Sequence, residues 1–270
     1  MSNNFRSPSN VAKRFKHLPA VVNKVINWPQ FMHNYAWGLE PKGPYLFRNG
    51  AQIKIARAID HVPIMEVFLR KDYGQIPDNS TILDVGASMG VFSIYAATSA
   101  RNVKIYAFEP CNDSFDLMLE NVRANHQEGQ IKCFNLAVAA DSQPRILFLE
   151  DTAFFFPTLI VQQPETSPRQ INVSCITLEE IIEANDLKKI DLLKMDCEGS
   201  EYEILYSTPE TSFRRISEIR LEYHNLDVHR RNVESLQDFL KCKSYAVTYV
   251  KANSPTNGSL WATNLNNEKS

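Results

Sequence analysis

The chain lacks several things, and each absence removes a class of protein. It has no surplus of positive charge: 29 Lys and Arg stand against 31 Asp and Glu, a formal net charge of -2. Proteins that neutralise phosphates carry a basic stripe, so no nucleic-acid partner is expected. Its 5 cysteines (Cys111, Cys133, Cys175, Cys197, Cys242) are widely spaced, form no CxxC pair and cannot all be paired with one another. That pattern fits free, buried thiols in a reducing compartment. No run of about 18 apolar residues exists, which excludes a conventional transmembrane helix. Met1-Ser-Asn-Asn-Phe-Arg6 leads into no apolar h-region, so no secretory signal is expected and a cytoplasmic location is the expectation. Only 9 glycines occur, and no G-x-G-x-x-G is among them.

What is there suffices for a substantial core. Hydrophobic residues make up 44% of the 270 positions and charged ones 22%, the balance of one large domain or of one domain with an added segment. Residues 1–44 form an N-terminal extension with Arg6, Lys13, Arg14, Lys16 and Lys24 among apolar residues at roughly helical spacing. Pro19 and Pro29 break it into short helices at most. A basic amphipathic piece can lie on an anionic membrane, but Trp28, Phe31, Tyr35 and Trp37 can bury well, and packing against the domain is the reading adopted. Residues 45–79 read as a cap, with a strand pair about Asn49-Gly50 and a strand or short helix over 62–71.

The regular region occupies 80–265. Strands are expected at 82–85, 103–108, 131–138, 145–149, 171–176, 190–195, 216–223, 245–250 and 260–263. Helices are expected at 91–99, 113–125, 178–184, from Ser200, and at 233–240, with Thr177 and Glu180 as a capping box. Alternating strands and helices imply an α/β fold with a doubly wound, mostly parallel sheet. In such sheets ligands bind beyond the carboxyl ends of the strands.

Two strand ends carry the chemistry. The first is Thr81-Ile-Leu-Asp-Val-Gly-Ala-Ser-Met-Gly90, a strand, a glycine turn and then a helix. Gly86 lets the backbone bend and approach a ligand, and Gly90 permits close contact as the helix begins. Glu109 closes the next strand and can accept both hydroxyl hydrogens of an adenosine ribose. Ala87, Ser88, Pro110 and Ala137 complete the candidate lining. The glycine spacing is G-x-x-x-G, with Ser88 where a dinucleotide fingerprint needs glycine. Asp84 adds negative charge, poor for pyrophosphate and good for the amino group or sulfonium of S-adenosylmethionine. The expected cofactor is therefore the methyl donor rather than NAD.

The second is Asp191-Leu-Leu-Lys-Met-Asp-Cys-Glu-Gly-Ser-Glu201. Together with Asp84–Gly90, Phe108-Glu-Pro110, the Leu117…Asn121…Asn125 helix, Ile176-Thr-Leu178 and Leu221-Glu-Tyr-His224, it resembles the FkbM-type methyltransferases over about residues 45–250. The Lys-x-Asp-x-Glu-Gly-x-Glu segment is the most specific part. The resemblance implies a class I methyltransferase fold, Rossmann-like, with a seven-stranded sheet whose last strand runs antiparallel. It also implies O-methylation of a sugar, glycolipid or secondary metabolite. Ser88 departs from the asparagine often found there.

Hydroxyl methylation needs in-line alignment and a base within hydrogen-bond reach. Asp196, at the end of a central strand, is expected to face the cofactor's reactive end. Glu201 is expected to cap the following helix. Glu222 and His224 share one face of a strand exit. His224 is the best candidate base, with a histidine satisfied by a buried hydrogen bond as the alternative. Asp196, Glu222 and His224 could also suit a divalent metal, although no metal is assigned. Tyr73 could close over the cofactor, though packing is the commoner role of an aromatic in a cap. An NAD-linked oxidoreductase and a non-catalytic nucleotide-binding module are the competing readings. A nucleic-acid enzyme lacks support, since no Asn-Pro-Pro-aromatic motif appears. The acceptor would be shaped by loops at 45–79, 150–170 and 225–232.

Overall fold

Pro19 and Pro29 start helices instead of merely interrupting them. In the computed structural model, which describes residues 8–149, 169–226 and 229–266, the extension forms α1 (Pro8–Phe15), α2 (Leu18–Lys24) and α3 (Trp28–Trp37). Each of the two prolines lies in a first helical turn, where the missing N–H costs nothing. Val21, Val25 and Phe31 are wholly buried, in one apolar core with Ile53, Ile64 and Ile94. The extension is thus packed into the molecule.

Strands β1 (Tyr45–Leu46) and β2 (Gln52–Ile53) pair antiparallel across the Asn49-Gly50 turn, where Gly50 takes φ +90°. The 62–71 segment is helical: α4 (His61–Ile64) runs into a wider π-helical stretch over Met65–Arg70. Asn121, on the helix over Asn112–Ala124, and Asn125, at its C-cap, hold β2 as a neighbouring strand would. Asn121 accepts from Lys54 N–H (2.8 Å) and donates to its carbonyl (2.9 Å), and Asn125 does the same for Gln52 at 2.8 and 2.7 Å.

Beyond the cap come β3 (Thr81–Val85), α5 (Val91–Ser99), β4 (Lys104–Phe108), α6 (Asn112–Ala124), β5 (Ile131–Phe134), β6 (Ala137–Val138), β7 (Arg145–Leu149), β8 (Arg169–Val173) and β9 (Cys175–Ile176). After these follow α7 (Leu178–Ala184), β10 (Leu192–Met195), α8 (Glu201–Ser207), α9 (Glu210–Phe213), β11 (Glu218–His224), α10 (Val233–Cys242), β12 (Tyr245–Ala252) and β13 (Asn257–Asn264). The main sheet has 7 strands in the order β12-β13-β11-β10-β3-β4-β5. β13 runs antiparallel to both neighbours and the other pairings are parallel. This is the doubly wound class I methyltransferase arrangement with its one reversed strand. Side chains alternate between two cores: Ile82 and Leu192 join the one on the α5–α6 side, while Leu83, Val85, Leu193 and Met195 join the one shared with α7, α8 and α10.

Two expectations need correcting. The strand expected over 131–138 is two strands. Asn135 interrupts it, its side chain donating to the Glu109 carbonyl (3.0 Å), and β6 then pairs with β9 outside the main sheet. The extended segment expected over 171–176 is likewise two strands, β8 pairing with β7 and β9 with β6, and both ladders lie outside the main sheet. The Thr177–Glu180 capping box forms as expected. Most of the 150–170 loop, and residues 227–228 of the other, lie outside the described residues. Among the described residues no helix is long and apolar enough to cross a membrane.

Candidate active site

The carboxyl ends of β3, β4, β10 and β11 open into a cavity of about 230 Å³. Of the residues singled out in the sequence, Gly86, Ala87, Ser88, Glu109, Pro110, Ala137, Asp196, Glu222 and His224 all line it. Asp84 and Gly90 do not.

The glycine turn is set by its neighbours. Gly86 has φ +73°, and a Cβ there would lie 1.9 Å from the Asp196 carbonyl oxygen, so the end of β10 forbids any side chain. Gly86 and Ala87 donate their N–H groups to the Phe108 carbonyl (3.1 and 3.0 Å). Ser88 has φ +49°, a left-handed conformation that asparagine tolerates better than serine. A Cβ on Gly90 would meet Met118 Cγ at 2.9 Å. Gly90 therefore serves the contact of α5 with α6 and is not itself among the cavity-lining residues.

The reading of Asp84 is corrected. It is completely buried, 3.0 Å from Lys194 Nζ and accepting from Ser93 Oγ at 2.7 Å. Its charge is spent inside the protein and not on a ligand. Lys194, its register partner on β10, also donates to the Gly86 carbonyl (2.8 Å). Burial opposes the Lys194 charge, but Asp84 and Asp196 outweigh it and keep the pKa above the ordinary lysine value. The ion pair thus fixes the turn from beneath. The sequence reading missed Lys194, although a lysine inside Leu192-Leu-Lys-Met195 is the visible anomaly.

Glu109 stands at the end of β4, 6% exposed. One carboxylate oxygen accepts from Ser88 N–H and the other from Cys111 N–H, both at 2.8 Å. Burial pushes its pKa up to about 7 against the pull of these two amides. Each oxygen can take a further hydrogen from the cavity side.

The opposite wall is acidic. Asp196, Glu198, Glu222 and Glu66 line it with His224 and Tyr73. Asp196 Oδ2 accepts from Tyr73 Oη at 3.2 Å, and burial raises its pKa to about 6 despite nearby Lys194. Burial, reinforced by the Asp196 charge, likewise raises Glu222, and Glu66 to about 7. Glu66 was not among the residues picked from the sequence, and Glu198, though part of the Lys-x-Asp-x-Glu-Gly-x-Glu segment, was given no site role there. Glu66 sits in the cap, far away along the chain, and nothing local in the sequence marks it.

His224 lies between two carboxylates, with Nε2 3.4 Å from Glu198 and Nδ1 3.3 Å from Glu201. Burial opposes its charge, yet the two acids push its pKa up to about 12. An imidazolium at neutral pH cannot accept a proton, so this geometry argues against the base role expected of it. Glu201 does not cap the helix as expected but ties the turn that precedes it: its Oε1 accepts from Cys197 N–H (2.8 Å) and Gly199 N–H (3.3 Å). Although burial works to raise it, His224 and the backbone amides of Cys197 and Glu201 hold its pKa below the usual value. Donor atoms of Asp196, Glu198 and His224 lie within 4.8 Å of one another, a different trio from the one suggested by sequence. With both imidazole nitrogens set against carboxylates, we read it as an ion-pair cluster.

The cavity thus has one face suited to a nucleoside and another suited to taking a proton. A family model described as the methyltransferase FkbM domain matches residues 84–245. Methyltransferase sdnD of Sordaria araneosa is 24% identical over 208 residues, covering 67% of this chain and 79% of that protein. The 31-O-demethyl-FK506 methyltransferase FkbM of Streptomyces tacrolimicus is 23% identical over 180 residues, covering 57% and 68%. Hexuronic acid methyltransferase AglP of Haloferax volcanii is 24% identical over 131 residues, covering 47% and 49%.

Proposed function

The chain belongs to the FkbM methyltransferase family and is an S-adenosylmethionine-dependent methyltransferase, and from this we propose that its acceptor is a hydroxyl of a sugar, glycolipid or secondary metabolite. The observation that carries the reading is Asp196: a half-buried carboxylate at the end of β10, facing the same cavity as Glu109 and the glycine turn.

The residues present fit the cofactor. Glu109 offers two carboxylate oxygens, each already held by one amide and able to accept one more hydrogen, the complement of two vicinal ribose hydroxyls. When bound, S-adenosylmethionine supplies an electrophilic methyl group. Gly86, Ala87 and Ser88 let the backbone approach the ligand, and Pro110 and Ala137 add apolar wall. Asp196 accepts the acceptor's hydroxyl proton as the new bond forms; a pKa of about 6 leaves it ionised and still basic at neutral pH. His224 holds Glu198 and Glu201 in place as a cation. Glu66, partly protonated near neutrality, and Glu222, held protonated there, can both donate to and accept from a polyhydroxylated acceptor. Two relatives have an oxygen or a hexuronic acid in their names, which supports an oxygen acceptor of this general kind.

The test is transfer from methyl-labelled S-adenosylmethionine to a panel of neutral sugars, uronic acids, glycolipids, macrolactones and amines, read by mass spectrometry. Label in an ether linkage is the expected result. Label only on nitrogen or carbon would remove the hydroxyl reading.

A further inference from the structure

Arg220 is 7% exposed and is not itself among the residues that line the cavity. Its Nε and Nη2 donate to Glu218 at 2.7 and 2.8 Å, which fixes the plane of the group. The guanidinium lies 4.9 Å over the ring of Trp261, its register partner on β13. This leaves Nη1, which donates to the backbone carbonyls of Tyr73 and Gln75, the latter at 2.8 Å. A buried arginine whose free donors all go to one loop is an expensive way to hold that loop, so its placement there needs a reason.

The loop has been shaped to accept it. Gly74 has φ +67°, and a Cβ there would lie 2.7 Å from the Trp261 ring and 3.1 Å from Arg220 Nη1. Only glycine lets the chain pass this close. Tyr95 Oη donates to the Gly74 carbonyl at 3.4 Å from the other side. With these carbonyls held, the Tyr73 side chain lies edge-on to Phe92 at 5.3 Å and beneath Lys194 Nζ at 5.7 Å. Its hydroxyl ends on Asp196 Oδ2.

We propose that residues 71–77 form a strap, stapled to β11 by Arg220, whose purpose is to hold the Tyr73 hydroxyl on Asp196, and that Tyr73 and Arg220 are positioning residues for the methyl-transfer reaction. The inference rests on the reading of Asp196 as the base. Donation to Oδ2 favours the ionised carboxylate and leaves Oδ1 as the oxygen for the acceptor's proton. The surroundings give that hydrogen bond a task. Burial and the charges of Glu198 and Glu201, from the turn after β10, oppose the ionisation of Asp196, while Lys194 and His224 act the other way; Glu66 from the cap and Glu222 from β11 also face it and are raised by its charge. Without the phenol the balance moves toward the protonated, inactive acid.

A carboxyl-carbon NMR titration of the full chain, labelled at aspartate and assigned with Asp196→Asn, reads this directly and needs no acceptor. Loss of one hydrogen bond to a carboxylate moves a pKa by about one unit. Tyr73→Phe should therefore raise the Asp196 pKa by about one unit in a fully folded protein. Arg220→Met should reproduce that shift and add nothing to it in the Tyr73→Phe background. Because Arg220→Met strips Glu218 of its partner and can fail to fold, Gly74→Ala, which crowds the strap off Trp261 without removing a charge, is the second variant. An unchanged titration in Tyr73→Phe would overturn the proposal. A shift in Tyr73→Phe with none in a folded strap variant would overturn the role of Arg220. Near-normal turnover in Asp196→Asn would instead sink the base reading and leave the titration result standing as a separate fact.

Discussion

Glu109→Ala is the substitution with the clearest worked consequence. In the structure the carboxylate is buried and each oxygen already holds one backbone amide at 2.8 Å. Two additional charge-assisted hydrogen bonds to a ribose diol would contribute about 1.5–3 kcal/mol each. Two effects reduce the total. With its pKa near 7 the free carboxyl is half protonated at neutral pH, which costs the ligand about 0.4 kcal/mol to reverse. Truncation also admits water to the amides of Ser88 and Cys111, returning part of the loss. The net is about 2–4 kcal/mol, a rise in Kd for S-adenosylmethionine of roughly 30- to 1000-fold. The same carboxyl sets a pH dependence. Its folded pKa lies above its unfolded one, so the folded free protein binds the proton more tightly, and stability falls as pH rises from about 4.5 through 7. A ligand that prefers the ionised form must displace that proton, so wild-type affinity should weaken toward tenfold per pH unit below 7. Titration calorimetry in two buffers of different ionisation enthalpy measures both the affinity and the proton released. A folded Glu109→Ala protein with wild-type affinity, or a wild-type Kd indifferent to pH between 5.5 and 7.5, would refute the assignment.

Asp196→Asn should cut turnover by about 10²–10⁴ while sparing cofactor affinity, since it removes the base and not the binding face; steady-state kinetics alongside calorimetry separates the two. His224→Gln should leave the acid limb of the pH–rate profile in place, because the residue already carries its proton; loss of that limb would restore His224 as the base. The same variant should lose on the order of 3 kcal/mol of stability by leaving the fully buried Glu201 without its cation. As the folded pKa of His224 is pushed up to about 12, its contribution is complete below pH 6.5 and declines steadily above it. Wild-type stability should accordingly fall faster with pH between 7 and 9 than that of His224→Gln, as denaturant melts will show. Deleting residues 1–37 should lower the melting temperature by exposing the core around Val21, Val25 and Phe31; binding of the intact chain to anionic vesicles at low salt, reversed by added salt, would revive the anchor reading.

The parts of the site that were legible in the sequence are those written within one short segment. A strand that stops in Gly86-Ala-Ser-Met-Gly90, a second that stops at Glu109 and a third that stops at Asp196 announce a ligand cleft, because each carries its own terminator. The seven-stranded sheet follows from the alternation of elements and from the family resemblance, and the Thr177–Glu180 box is complete in four residues. What could not be read depends on which strand lies beside which. Asp84 looks like a ligand-facing charge until β10 is placed next to β3 in the register that sets Lys194 opposite it. His224 looks like a free base until the turn after β10 brings Glu198 and Glu201 to its two nitrogens. Arg220 means nothing in the sequence, since both its stacking partner on β13 and the loop it holds are distant along the chain. Spacing reveals a residue's type and its strand end, whereas the protonation state that decides its role comes from neighbours set by register. Sequence therefore located the cavity well and assigned its charges poorly.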